Sequence, residues 1–478
     1  MLFQTTTGAS VGPRQEIAPA RRDDVRTLLH RATFGFTANE FERASSMGYR
    51  AWLDEQLDPA SIDDSALDAR LAGYPTLAMD AETLVATYPQ SSGGDVFVAQ
   101  QLISARIVRA VESRRQLFER VVEFWTDHFN IDGTDGPLRY FKTVDDREVI
   151  RRYALGSFRD LLSASTRSAA MLYYLDNYVN SAGAPNENYA RELMELHTLG
   201  VDGGYTEDDV KEVARCFTGW TFRPAGVPGL GAFLFRPLTH DSGAKTVLGT
   251  SLPAGGGIQD GETVIDLLAS HPSTAQFLAR KLCVYFLTYE PPQVTVDRVA
   301  ARFTATGGSI AATVREVLAT RSYREARIDE YPKLRRPFHM AVGALRSTGA
   351  TLGNPAPLSG ELFLLGHTPF TWPAPNGYPD SLGAWGSNLL PRWSFMSKFF
   401  DGQVTGSGIS TSALFALIGG VAPAEVAATL DQRLTGGRMS AVDVAEVQGF
   451  VDSQPSWNGS VARQAVALAL SVPSTQFH

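Results

Sequence analysis

From Asp95 to Asn130 the apolar residues Leu102, Ile107, Val111, Leu117, Val121, Phe124, Trp125 and Phe129 recur at roughly helical spacing. This periodicity constrains the fold more than any other feature of the chain. Similar spacing predicts helices over 158–174, 186–199, 272–289, 294–305, 310–320, 333–348, 380–401, 423–433, 441–452 and 458–471. A chain written this way packs helix on helix, so the expected class is mainly α, a multi-helix globular fold. Two helix starts are signed: Thr37 with Glu40, and Thr206 with Asp209, are spaced as capping boxes in which hydroxyl and carboxylate cover each other's amides. One segment departs from the helical pattern. Over 221–252, alternating Phe233 and Phe235 stand between Gly- and Pro-rich turns, the mark of a small β-hairpin insertion. The stretch 366–383 carries four prolines and reads as a long loop.

The chain's 478 residues exceed one ordinary core, so two or three packed subregions are expected. Polar and Pro-containing, residues 1–23 read as a flexible N-terminal arm. Residues 24–478 read as one helical domain, with a soft internal boundary near 250–260, where SLPAGGG follows the hairpins. A net charge of −8 gives no electrostatic footprint for nucleic acid. No run of about 18 apolar residues marks a membrane span, and the first residues lack the layout of a secretory signal, so the expected location is cytoplasmic. Cys216 and Cys283 each sit in an apolar helical pattern and read as buried, reduced thiols; no C-x-x-C spacing points to a thiolate metal site.

Three segments can carry chemistry. In NENYARELMELHTLG, 186–200, Asn188, Glu192 and Glu195 share one helical face, and Arg191 can pair with Glu187 or Glu195. Two carboxylates so placed can hold a hard metal ion or work as acid and base; the same spacing also fits a salt-bridged surface. In EFWTDHFN, 123–130, His128 shares an aromatic face with Phe124 and Trp125. It is a candidate base or ligand, or else a satisfied core histidine, while Glu123 and Asp127 point elsewhere and read as solvated. In the third segment, His240 and Asp241 precede Ser242-Gly243, and Lys245 follows. Here His240 and Asp241 can ligate or orient, and Lys245 can bind an anion; alternatively the segment is a self-capped turn. The catalytic candidates are therefore Glu192, Glu195, His128, Arg191, Asn188 and Asp241. Lys245 and Trp125 are the candidate cofactor-binding groups, and His128, Glu192, Glu195 and His240 the candidate ligands of a divalent or transition metal. No G-x-S-x-G, P-loop, H-E-x-x-H or G-x-G-x-x-G motif is present.

Together LLHRATFGFT, FWTDHF, NENYARELMELHTLGVDGGYTEDDV, ARCFTGWTF, HDSGAKTVLG, HPSTAQFLARKLCVYF and the closing ALALSVPSTQF resemble the DUF1800 family, over about residues 24–477. The resemblance implies a mostly helical fold. It also implies a habit of export, which this chain's start does not match, and a frequent co-encoded neighbour of the DUF1501, phosphatase–sulfatase type. The family's loop ending in Gly-Trp is here Trp372 to Tyr378. The family's polar motifs fall on the residues already singled out, which implies that they converge on one site.

Two functions fit these observations. The first is an enzyme, hydrolase or oxidoreductase, with a buried polar or metal-assisted site acting on a small-molecule, sugar or peptide substrate. On that reading Glu192→Gln or His128→Ala removes activity and spares the thermal midpoint. The second is a non-catalytic partner or maturation protein for a co-encoded enzyme. It would dock through exposed aromatics at Phe370, Trp372, Tyr378, Trp385 and Trp393. A concave pocket lined by 124–129, 186–200 and 240–245 would favour the enzyme.

Overall fold

The computed structural model describes residues 22–478. The expected arm therefore lies outside the described residues, except that Arg22 and Asp23 open the first helix, Arg22–Ala32. The described chain is 62% helical, with 26 α-helices and small two-stranded sheets, so the protein is mainly α. Both capping boxes form, Thr37 with Glu40 and Thr206 with Asp209. The insertion at 221–252 is two antiparallel hairpins. Trp220–Phe222 pairs with Phe233–Phe235, and Lys245–Val247 pairs with Thr250–Leu252. A third pairing, Thr351–Leu352 with Ser407–Gly408, joins strands too short to leave a sequence pattern. Among the described residues no single helix is long and apolar enough to cross a membrane.

Several expected helices are broken by polar side chains acting at a distance. The 95–130 pattern is two helices, Gly94–Glu112 and Gln116–His128. At the break Ser113 Oγ donates to Asp64 Oδ2 at 2.6 Å, and the Arg114 amide donates to Asp64 Oδ1 at 2.9 Å. The Gln116 side chain then donates to the carbonyls of Ala110 and Ser113, at 3.1 and 2.9 Å, satisfying the end of the first helix. The 158–174 pattern likewise splits at Ser168, whose hydroxyl donates to Asp145 Oδ1 at 2.7 Å. Within 186–199, the helix Asn188–Glu192 widens into a π-helical turn, Leu193–Thr198.

Two apolar cores carry the fold. The larger gathers residues from Val25 to Ile328 and runs without interruption past Leu252 and Val264, and both cysteines lie in it as buried free thiols. The second gathers residues from Phe338 onward with Leu102, Ile107 and Val111 of the Gly94–Glu112 helix. The two meet where the chain after Arg22–Ala32 crosses the buried helix Pro337–Thr348 at Gly343. A Cβ on Gly35 would lie 2.9 Å from Gly343 Cα, and one on Gly343 would lie 2.8 Å from the Phe34 carbonyl oxygen. Only paired glycines allow so close a backbone approach.

The proline-rich stretch stays non-helical up to Leu382, but its aromatic residues are not the expected outward patch. Phe370, Tyr378 and Trp385 are buried, Trp372 is half-buried, and of the five only Trp393, at 48%, is largely exposed. His367 explains the inward turn, because its ring packs 4.2 Å from Tyr378 and stacks on Trp385 at 5.2 Å. Exposed apolar side chains occur beside this loop instead, at Phe363, Leu364, Leu382, Leu389 and Leu390.

Candidate functional site

The structure distributes the sequence candidates over three separate settings. His128 is buried, and both ring nitrogens are engaged. Its Nε2 lies 3.0 Å from the His197 carbonyl, which requires a proton there; Nδ1 accepts from Lys281 Nζ at 3.0 Å. Burial, then the Lys281 charge, holds this imidazole neutral, well below the usual histidine range. Trp125 donates to the Ala154 carbonyl at 3.0 Å and packs in the larger core.

The 186–200 segment does meet His128, but only through His197. Its carboxylates face outward. Arg191 donates to Glu207 at 2.7 and 2.9 Å and lies 3.5 Å from Glu195, while Asn188 is exposed. Glu192 is half-buried, and burial and then Glu195 raise its pKa. Arg191 makes this an ion-paired surface with Glu187, Glu195 and Glu207, while Glu192 stands beside it as a carboxylate repelled by Glu195.

The 240–245 segment is satisfied from within. His240 Nδ1 donates to the Thr218 carbonyl at 2.8 Å and Nε2 faces Asp260 Oδ2 at 3.1 Å. Lys245 is spent on Asp260 at 2.7 Å and on the carbonyls of Asp241 and Gly243, so no anion-binding capacity is left. Asp241 receives two bonds from Arg215, which hold its carboxyl at about 2.

The expected metal ligands His128, Glu192, Glu195 and His240 therefore do not converge. Among the described residues no group of three or more His, Cys, Asp or Glu is arranged to hold a metal ion. Neither 124–129 nor 186–200 lines the cleft described below or four further cavities among the described residues.

Sequence reasoning misread Glu123 and Asp127, which are shielded rather than solvated. Glu123 accepts from His339 Nε2 at 2.8 Å and from the Tyr285 hydroxyl at 2.7 Å, with Arg120 at 3.9 Å. Burial acts to raise its pKa, but His339, Arg120 and Arg336 outweigh burial and keep it ionised. Asp127 is bound by Arg336 at 2.6 Å, yet burial and neighbouring Glu123 push it up to about 6. Burial and then Arg120 lower His339 to about 3. The pair is thus a neutral imidazole against a carboxylate. A detectable signal lay in Arg335-Arg336-Pro337-Phe338-His339, where charge stands at the mouth of an otherwise apolar helix.

Beside this network a cleft of about 390 Å³ opens between the two cores, lined among others by His30, Arg335, Met340, Thr435, Arg438 and His478. His30 Nε2 donates to the Thr435 carbonyl at 3.0 Å, and Nδ1 accepts from Arg335 at 3.0 Å. His478 Nδ1 lies 3.2 Å from the His30 carbonyl, so it carries the proton and Nε2 keeps its lone pair. The backbone of His478 is fixed by reciprocal bonds with Lys333, at 2.9 and 3.1 Å. The His339 ring stands directly behind, 6.3 Å from that of His478. Burial, then the neighbouring arginines, keeps His30 and His478 neutral.

Fold and site together define a mainly helical protein built on two apolar cores, with a histidine- and arginine-lined cleft between them. The chain belongs to the family described as "Protein of unknown function (DUF1800)", whose model matches residues 27–477. No curated protein and no solved structure matches it.

Proposed function

We propose that this protein is an enzyme that moves protons to and from a small molecule held in the cleft. The observation that carries this reading is the His478 ring at the cleft, with a lone pair on Nε2, packed 6.3 Å from the ring of the Glu123-paired His339. A neutral imidazole held at one nitrogen can accept a proton at the other. A cleft with apolar walls and a few placed polar groups is the usual form of a small-molecule site. Hydrolysis and redox chemistry both use such a base, and the metal-assisted form has no converging donor set to support it. The test incubates the full chain with pooled small esters, amides and sugar derivatives and follows conversion by mass spectrometry. The expected result is a conversion that His478→Gln removes while the fold persists. No conversion of any pool, or conversion unchanged in His478→Gln and His30→Gln alike, overturns the reading.

A second reading, a non-catalytic partner of a co-encoded enzyme, draws on Phe363, Leu364, Leu389, Leu390 and Trp393, exposed near the junction of helices Ala356–Leu364 and Leu389–Phe400. These helices are tied together by Lys398 and Glu361 at 3.2 Å, and Asn388 donates to the Leu365 carbonyl at 2.8 Å. Exposed apolar clusters of this kind mark interaction surfaces. Loss of co-purification with the co-encoded protein in Leu390→Glu would favour it.

A further inference from the structure

We infer that the cleft binds a doubly charged tetrahedral oxyanion, the phosphate or sulfate group of a small molecule, through Arg335, Arg438 and Ser347, with the buried charge of Arg31 close beside them. This rests on the reading of the cleft as the ligand site, and it deepens that reading by naming the ligand's chemistry.

Most buried arginines here are matched by a carboxylate. Arg106 and Arg151 share Glu119, Arg336 holds Asp127, and Arg346 holds Glu40. Arg31 has no such match. It is 1% exposed, and none of its three guanidinium nitrogens has a hydrogen-bond partner among the described residues. A buried, unpaired guanidinium is among the costliest groups a fold can hold, and it persists where something else completes it. Its neighbours deepen the imbalance. Arg335 donates from its side chain to His30, a neutral imidazole. Arg438 bonds Asp329 at 3.0 Å, but that carboxylate is 77% exposed and well screened. The nearby Arg26–Asp23 pair, at 3.2 Å, balances itself. Three guanidinium groups therefore lie near one exposed side-chain carboxylate, Asp329, at the edge of the cleft. Burial and mutual repulsion lower Arg31 to about 9 and Arg335 to about 10. Arg392, whose Nη1 lies 3.9 Å from the sulfur of the cleft residue Met340, also lacks a carboxylate and adds to the positive field.

An uncharged donor points to the same ligand. Ser347 lines the cleft, is 7% exposed, and its hydroxyl has no hydrogen-bond partner. One planar carboxylate satisfies a single guanidinium fork, whereas a tetrahedral dianion accepts from several directions and balances two charges. The other walls mix the apolar Phe36, Met340, Leu434 and Leu470 with Thr435, Ser474 and Thr475, so the oxyanion arrives on a small, largely apolar body.

The test titrates the full chain, in buffer free of phosphate and sulfate, with inorganic phosphate, sulfate and phenyl phosphate. Acetate and chloride at matched ionic strength are controls, and binding is read by calorimetry and by the thermal midpoint. The expected result is saturable binding of the tetrahedral ions, tighter for phenyl phosphate, and none for acetate. Comparing phosphate with sulfate identifies which group the site prefers. Arg438→Gln should weaken binding by roughly ten-fold, as loss of one charge-assisted bond does. Arg31→Met should raise the midpoint of the ligand-free protein, since an unpaired buried charge is removed, and should shrink the shift that phosphate produces. If Arg31→Met does not fold, Ser347→Ala and Arg438→Gln carry the same comparison. Equal shifts with acetate and phosphate, or phosphate curves unchanged in every variant, overturn the inference. Phosphate binding without any catalytic conversion would sink the enzyme reading alone; conversion of uncharged molecules without phosphate binding would sink this one alone.

Discussion

Acid should unfold this protein well before its carboxylates titrate. Six histidines are buried as neutral rings: His30, His128, His367 and His478 lie well below the usual range, and His197 and His339 are lowered to about 3. In each case burial is the largest cause. The unfolded chain binds protons at these positions with a pKa of about 6.5, and the native chain does not. Stability is therefore fully present above that value and is lost as pH falls through it toward the native values. Moving from about pH 7.5 to 5.5 costs roughly 1.4 kcal/mol per ring, or about 8 kcal/mol for six. Carboxylates raised by burial oppose the trend, Asp127 the furthest. Asp127, raised to about 6, binds its proton first in the native state. It returns about 0.8 kcal/mol by pH 5.5. The net loss, about 7 kcal/mol, is comparable to the whole stability of an ordinary domain, about 5–15 kcal/mol. Urea unfolding at the two pH values, with potentiometric measurement of protons taken up on unfolding at pH 5.5, checks this. About five protons are expected from the same titration arithmetic. Uptake of fewer than about two, or midpoints that coincide, would show that these rings are charged or solvated in the native protein and would refute the reasoning.

Three substitutions extend the argument. His128→Ala should cost about 3–5 kcal/mol in urea unfolding, because it opens a cavity and strands the His197 carbonyl and the Lys281 ammonium. Glu192→Gln should change stability by less than about 0.5 kcal/mol, since the side chain is half-exposed and its nearest carboxylate, Glu195, repels it. Gly261→Ala should lower the thermal midpoint although alanine is the better helix former by about 1 kcal/mol. Its Cβ would lie 2.7 Å from Cε2 of the fully buried Trp220, and overpacking of that kind costs about 1–3 kcal/mol.

The helical class was legible because 3.6-residue periodicity is local: each helix writes its apolar stripe in its own sequence. The capping boxes at Thr37 and Thr206 were legible for the same reason. The breaks were not. Ser113 ends one helix by reaching Asp64, 49 positions away, and the apolar stripe runs on across the gap undisturbed. The site failed in the same direction. Glu123 looks like a solvated helix position until His339 and Tyr285, more than 150 residues downstream, close over it. In the 186–200 block the shared face of Glu192 and Glu195 was read correctly, but periodicity gives the face and not whether it points to water. Only the partners Arg191 and Glu207 decide that.

Density of polar motifs therefore misleads in this fold, and satisfaction of polar atoms is the better guide. His240, Lys245 and Asp260 form a buried network whose charged groups find partners, and such a network explains itself as structure. The cleft differs in kind. Ser347 in its wall and Arg31 close beside it hold unmet hydrogen-bonding capacity where it is costly, next to imidazoles kept neutral by the same burial. Leucine at position 31 would pack without the cost of a buried charge, and an anion beside the guanidinium would offset that cost. The same reasoning predicts that the ligand contributes most to stability where the protein alone is weakest, at the seam between the two cores. It ties occupancy of the cleft to the relative placement of Arg22–Ala32 and Pro337–Thr348.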